Sequence, residues 1–179
     1  MTRKVPRRRI VVDACVIQSA GETNHPASDG SRRALEAMRK VCHRAVITTA
    51  IYTEWERHTS KWSSRWIVSM QNLGEKLPVL SDPANDEISE AAQNVAWSHE
   101  EAVIAAKDLH LLVAALAADR IVISNEIKCA RAFAKLIGSV DGLSQLQWVV
   151  PAEDPERVEA WLQRGARPLK RFRLDRFLA

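Results

Sequence analysis

At 179 residues, with 46% hydrophobic and 27% charged side chains, the chain is long enough to bury a real core as one domain. No apolar run approaches the roughly 18–20 residues that span a bilayer, and no apolar stretch follows the basic N-terminus, so neither a membrane span nor a secretory signal is expected. The formal net charge of +4 is unevenly placed. Residues 1–9 hold five bases (Arg3, Lys4, Arg7, Arg8, Arg9). Residues 164–179 hold six (Arg164, Arg167, Lys170, Arg171, Arg173, Arg176) against one acid, Asp175, so the ends carry +10 and the body −6.

Ile10, Val11 and Val12 predict a short buried strand ending at Asp13, with apolar character continuing through Val16 and Ile17. A polar loop over 21–30 leads to a helix capped by Ser28, Asp29 or Ser31, with Leu35, Met38 and Val41 or Cys42 on its inner face. Ala45, Val46 and Ile47 predict the second strand, closed by Thr48 and Thr49. A long helix is then expected over 50–73, with Ile51, Trp55, Trp62, Trp66 and Met70 at helical spacing. Trp side chains among bases can stack on nucleic-acid bases, but a stripe at this period is more often core. After Leu77-Pro78-Val79-Leu80 comes another helical face: Ile88, Ala91, Ala92, Val95 and Ala96.

A break at Ser98 or His99 is expected before a helix beginning near Lys107, in which Leu109, Leu112, Val113 and Leu116 form one buried face. Ile121, Val122 and Ile123 follow as a core strand, with Glu126 at its end. A further helix carries Ala130, Phe133, Ala134 and Ile137 inward and stops at Gly138. Leu146 to Val150 form the last strand, and Asp154-Pro155 opens a helix running through Trp161 and Leu162 to Gly165. Strands alternating with helices predict an α/β fold, a three-layer α/β/α arrangement around a central, mostly parallel twisted sheet. The expected organisation is a basic segment 1–8, a domain 9–163 and a basic tail 164–179.

Four acids stand where strands and helices meet: Asp13, Glu54, Asp108 and Glu126. Singly, each has an ordinary role as turn residue, helix-terminus charge or solvated helical Glu. Jointly, they are carboxylates delivered to one sheet edge, where they repel and raise one another's pKa unless a cation neutralises them. Hard oxygen donors with no Cys or His at ligand spacing suit Mg²⁺ or Mn²⁺. The basic ends beside such a centre suit a phosphate backbone. Cys15, Cys42 and Cys129 are widely spaced, without a CxxC pair, which argues against a disulfide framework and a structural zinc and for a reducing cytoplasm. There is no GxSxG, P-loop or GxGxxG, and Asp13-Ala14-Cys15 lacks the DxD of haloacid-type phosphotransferases. His110 lies two residues from Asp108, a spacing that turns it to another side of a helix. Cys15 has no paired base and is expected as a small buried residue.

The segments VVDACV around Asp13, ITTAIYTEWER around Glu54 and KDLHLLVAALAADRIVISNE resemble the PIN domain, the metal-dependent ribonuclease fold of VapC-type toxins in bacterial toxin–antitoxin pairs. QLQWVVPAEDPE is similar too, more weakly. The resemblance spans most of 9–162 and leaves the ends uncovered. It implies that Asp13, Glu54 and Asp108 are the three leading acids, Glu126 a fourth and Ser124 the supporting hydroxyl of the last motif. Two departures stand out: Cys15 replaces the usual small polar residue, and Glu126 is one methylene longer than the usual Asp. The implied activity is endoribonucleolytic hydrolysis by Mg²⁺- or Mn²⁺-activated water. Asp13 and Asp108 would touch the ion, Glu54 and Glu126 would complete or orient the shell, and Arg167, Lys170, Arg171 and Arg173 would hold RNA phosphates. An antitoxin and a homodimer are the protein partners the resemblance implies. The competing reading is a catalytically impaired PIN-like module that binds RNA or a protein.

Overall fold

The computed structural model describes residues 5–74 and 76–178, so Arg3 and Lys4, two of the N-terminal bases, lie outside the described residues. Four strands, β1 Arg9–Val12, β2 Arg44–Val46, β3 Ile121–Ile123 and β4 Gln147–Val149, form one sheet in the order β2-β1-β3-β4. All pairings are parallel, with Ile10 opposite Ala45, Val11 opposite Val122 and Val122 opposite Trp148. Ile10, Val11, Val12, Ile121, Val122, Ile123, Trp148 and Val149 are all buried, as strands covered on both faces must be.

The helices among the described residues are α1 Ala14–Ser19, α2 Pro26–Val41, α3 Thr49–His58, α4 Lys61–Asn72, α5 Asp86–Gln93, α6 His99–Leu116, α7 Ile127–Ala134 and α8 Pro155–Gln163. α2 packs on α8, and α6 packs on α7, β1 and β3. Right-handed crossovers put these two pairs on opposite faces of the sheet. The expected three-layer α/β/α fold is therefore the observed one. No helix among the described residues is long and apolar enough to cross a membrane.

Local hydrogen bonding moves several expected boundaries. α2 begins at Pro26, whose missing N–H costs nothing in the first turn, and His25 Nδ1 accepts from Ala27 N at 3.3 Å. Ser28, Asp29 and Ser31 therefore lie inside the helix rather than capping it. The single helix expected over 50–73 is two, α3 and α4. Ser60 breaks it by forming a reciprocal capping box with Ser63 while its hydroxyl donates to Ala20 O at 2.7 Å. The Trp stripe is core: Trp55 Nε1 donates to Val12 O at 2.9 Å, Trp66 Nε1 donates to Leu35 O at 2.7 Å, and both rings are buried.

The helix expected to open near Lys107 opens instead at His99. Ser98 accepts from Glu101 N, and the Glu101 carboxylate returns a bond to Ser98 N, so the capping box coincides with the break expected there. Residues 99–107 contain no Gly or Pro, and α6 runs through Lys107 without interruption. Residues beyond α8 lie on the domain. Trp161 and Phe172 rings meet at 4.9 Å between centroids, Leu174 N donates to Leu146 O at 2.8 Å, and Arg176 reaches Glu153 at 2.7 Å.

Candidate active site

In the order β2-β1-β3-β4 the chain leaves β1 towards β2 and later returns to β3 on β1's other side. The crevice beyond the carboxyl ends of β1 and β3 is thus the point where strand order reverses, the ordinary ligand position of an open parallel sheet. Asp13 directly follows β1 and Ser124 directly follows β3.

Asp13 is buried and caps α1. Ser124 Oγ donates to Asp13 Oδ2 at 2.6 Å, Cys15 Sγ donates to the same oxygen at 3.2 Å, and Cys15 N donates to Oδ1 at 3.2 Å. A carboxylate offers about four lone-pair sites, so these three donors leave room for one more partner. Ser124 is itself fully buried and accepts from Glu126 N at 3.0 Å. Burial, and then the charge of Asp13, push the Cys15 thiol well above its ordinary value. Cys15 is therefore a hydrogen-bond donor to Asp13 and not a thiolate nucleophile.

Asp108 lies in the middle of α6, not at its start, so its position owes nothing to a helix N-terminus. Its side chain is 14% exposed, with Lys107 Nζ at 3.6 Å from Oδ1. Burial raises its pKa. Lys107 acts against this, while the negative charges of Asp13 and Glu54 add to it. The pKa of Lys107 is raised too, first by the charge of Asp108 and then, against its own desolvation, by Glu54 and Asp13. Glu54, on α3, is 20% exposed and lies 3.4 Å from His110 Nε2. That contact is not aligned as a hydrogen bond, and His110 Nε2 is buried without one. His110 Nδ1 lies 3.0 Å from Lys107 O.

Asp13, Glu54 and Asp108 therefore share one region, with Lys107 and His110 as the positive or ionisable groups beside them. Glu126 precedes α7 and is exposed, with no cap bond from its side chain. It nonetheless joins Asp108 and Asp13 in raising the pKa of buried Cys129, whose first cause is desolvation. The donor chemistry, carboxylates plus a hydroxyl around a raised Asp108, fits a hard divalent cation. Among the described residues, no three His, Cys, Asp or Glu side chains stand close enough to hold an ion as placed.

Two participants were not found from the sequence. His110 points at Glu54 because α3 packs on α6, a contact between distant segments. Asn125 ties the crevice together: its Nδ2 donates to Ser31 Oγ at 2.9 Å and its Oδ1 accepts from Ala152 N at 3.1 Å. Only its place between Ser124 and Glu126 could have marked it. Of the C-terminal bases expected to hold RNA, Arg171 faces Asp154 at 3.7 Å and Arg173 pairs with Asp175 at 2.5 Å. Arg167 and Lys170 are exposed with no acid at ion-pair distance among the described residues.

Comparison of the chain with family models, with curated proteins and with solved structures finds no match in any of the three.

Proposed function

We propose that this chain is a Mg²⁺- or Mn²⁺-dependent endoribonuclease of the PIN type, acting as the toxin of a toxin–antitoxin pair. What supports the reading is that Asp13, Glu54 and Asp108, from three separate elements, lie near enough for the first two to raise the pKa of the third, and that Asp13 directly follows β1. Asp13 and Asp108 would hold the ion, and Glu54 and Glu126 would complete or orient its shell. Bound there, the ion supplies Lewis acidity to the scissile phosphate and to the attacking water. Ser124 and Cys15 fix the Asp13 carboxylate in one orientation. His110 stands against Glu54, and Lys107 brings a cation that a substrate phosphate can share with Asp108.

Protein partners belong to the same proposal. Tyr52, Val68 and Val79 are exposed beside an apolar groove of about 430 Å³ that also involves Trp55, Ile67 and Leu77. Such a surface suits an antitoxin or a second copy of the chain. The setting is a reducing cytoplasm, in keeping with three free thiols.

The second reading, an impaired module that binds RNA or protein without cutting, draws on one observation: Lys107 already stands 3.6 Å from Asp108 as a counter-charge. RNA cleavage by the purified chain decides between them. Metal-dependent cleavage, abolished by chelator and by Asp13→Asn or Asp108→Asn with unchanged folding, supports the nuclease. RNA binding that ignores Mg²⁺, without cleavage, overturns it in favour of the module.

A further inference from the structure

The opposite, amino edge of the sheet is built for negative charge. Arg8 precedes β1 and Arg120 precedes β3, while Gln145 and Gln147 stand at the start of β4. With Asp119 and Arg173 they line a cleft of about 330 Å³. Asp119 does not cancel these bases, because Arg9 already holds it, through its N–H at 2.8 Å and its guanidinium at 3.5 Å. Arg8 Nε is buried with no hydrogen-bond partner among the described residues. A buried guanidinium nitrogen is rarely left unpaired, and Arg8 is one of the residues that line the cleft.

Arg120 is set there by backbone geometry. It adopts φ of 58° where α6 turns into β3, a left-handed conformation unfavourable for a non-glycine residue. Its guanidinium then lies over Gly142, where an added Cβ would come within 3.0 Å of Nε. Among the described residues its side chain bonds to neutral Gln145, at 3.2 Å.

The charge continues beyond the cleft. Gly165, at φ of 94°, lets the chain after α8 pass so close to Pro6 that any Cβ would stand 2.7 Å from its ring. This brings the N-terminal and C-terminal basic segments together. Arg7, Lys40, Arg164 and Arg167 border this junction with no acid at ion-pair distance among the described residues. In contrast, Arg33, Arg157, Arg171, Arg173 and Arg176 are each paired with an acid.

We propose that the amino edge of the sheet binds the phosphate backbone of an RNA strand, one phosphate seated between Arg8 and Arg120 in the cleft and its neighbours along Arg7, Arg164 and Arg167. A free phosphate would use the cleft alone, and the row of unpaired bases beyond it favours a polymer. The choice of RNA rests on the reading above, but the site is separate from the carboxylates.

The test is the affinity of the full chain for a short labelled single-stranded RNA in EDTA, measured against salt. Removing Arg120, Arg164 and Arg167 together (each →Gln) is expected to weaken binding at least tenfold and to lower the salt slope by roughly two, since each phosphate contact contributes about 0.7. The same number of charges removed from exposed Arg57, Lys61 and Arg65 on α3 and α4 is expected to leave both unchanged. Equal loss in the two triple variants, or no loss in the first, overturns the proposal. So does displacement of the RNA by inorganic phosphate or by an acidic polypeptide at matched charge concentration. Absence of metal-dependent cleavage would sink the nuclease and leave this binding intact, so the two failures are separable.

Discussion

Ser124 Oγ donates to Asp13 Oδ2 at 2.6 Å, joining the residues that directly follow β3 and β1, 111 positions apart. Both side chains are buried, so the bond does two things: it gives a largely buried acid a donor, and it fixes that acid's orientation. Ser124→Ala is expected to cost about 1–3 kcal/mol in urea unfolding, the price of leaving a buried oxygen short of a donor. It is also expected to lower any cleavage rate more than RNA affinity. A variant as stable as the parent would show that the bond carries little.

The carboxylate group at the crevice predicts a cation effect on folding. Asp108 is held above its ordinary pKa by burial and by its acidic neighbours, so its charged form is unfavourable in the folded chain. A divalent ion bound only to the native state adds about 2.7 kcal/mol at a hundredfold excess over its Kd. Mn²⁺ should therefore raise the melting temperature of the parent, and Asp13→Asn and Asp108→Asn should each remove most of that rise. Equal rises in all three proteins would place the ion elsewhere.

His43 predicts a pH dependence. It is fully buried; its Nδ1 accepts Arg8 N–H at 2.9 Å and its Nε2 lies 2.9 Å from Leu162 O. Burial lowers its pKa below the ordinary 6.5, outweighing the bond to Leu162. As pH falls below 6.5 the unfolded chain takes up a proton that the folded chain refuses, so this stability is present above 6.5 and is lost on acidification towards the lowered native value. Melting temperature against pH should show that loss in the parent. His43→Gln should be less stable throughout but flatter across the window, and an unchanged slope would refute the assignment.

The Trp side chains separate core from interface. Trp66 is buried, bonded to Leu35 O and 6.1 Å from Trp55 between ring centroids. Trp66→Ala is expected to cost about 3–5 kcal/mol, the range for truncating a buried aromatic. Trp66→Phe should keep RNA affinity unchanged while losing less stability. A fall in affinity for the Phe variant would revive a base-stacking role.

Ser60 gives the smallest prediction. Its hydroxyl caps α4 and bonds Ala20 O. Ser60→Ala should cost about 1 kcal/mol, typical of a lost N-cap, and somewhat more because Ala20 O loses a donor. Ser60→Asp should recover part of the cap but not the Ala20 bond.

The strands and the polar residues that directly follow them were legible because they rest on short contiguous strings. Asp13 after VV and Ser124 after IVI are placed by β-branched runs that can hardly be anything but buried strands. The Asp154-Pro155 start of α8 was legible for the same local reason. Asp108 was assigned to the wrong part of its helix even though Ser98 and Glu101 spell a capping box, because the apolar face of α6 begins in earnest only after Lys107. Residues 99–107 are mostly exposed and show no buried stripe to signal a helix.

By itself the sequence determined the alternation of strands and helices, the burial of the strands, and which acids sit at their carboxyl ends. These follow from interactions between neighbours a few positions apart, whose period and capping chemistry are written in the string. Tertiary structure alone decided that His110 faces Glu54, that Asn125 bridges Ser31 and Ala152, that Ser60 splits a helix by reaching Ala20, and that Arg8, Arg120 and Arg173 gather at the amino edge. Each of these joins segments brought together by crossovers and packing, where the partner is fixed by the path of the chain through space and not by its spacing along it.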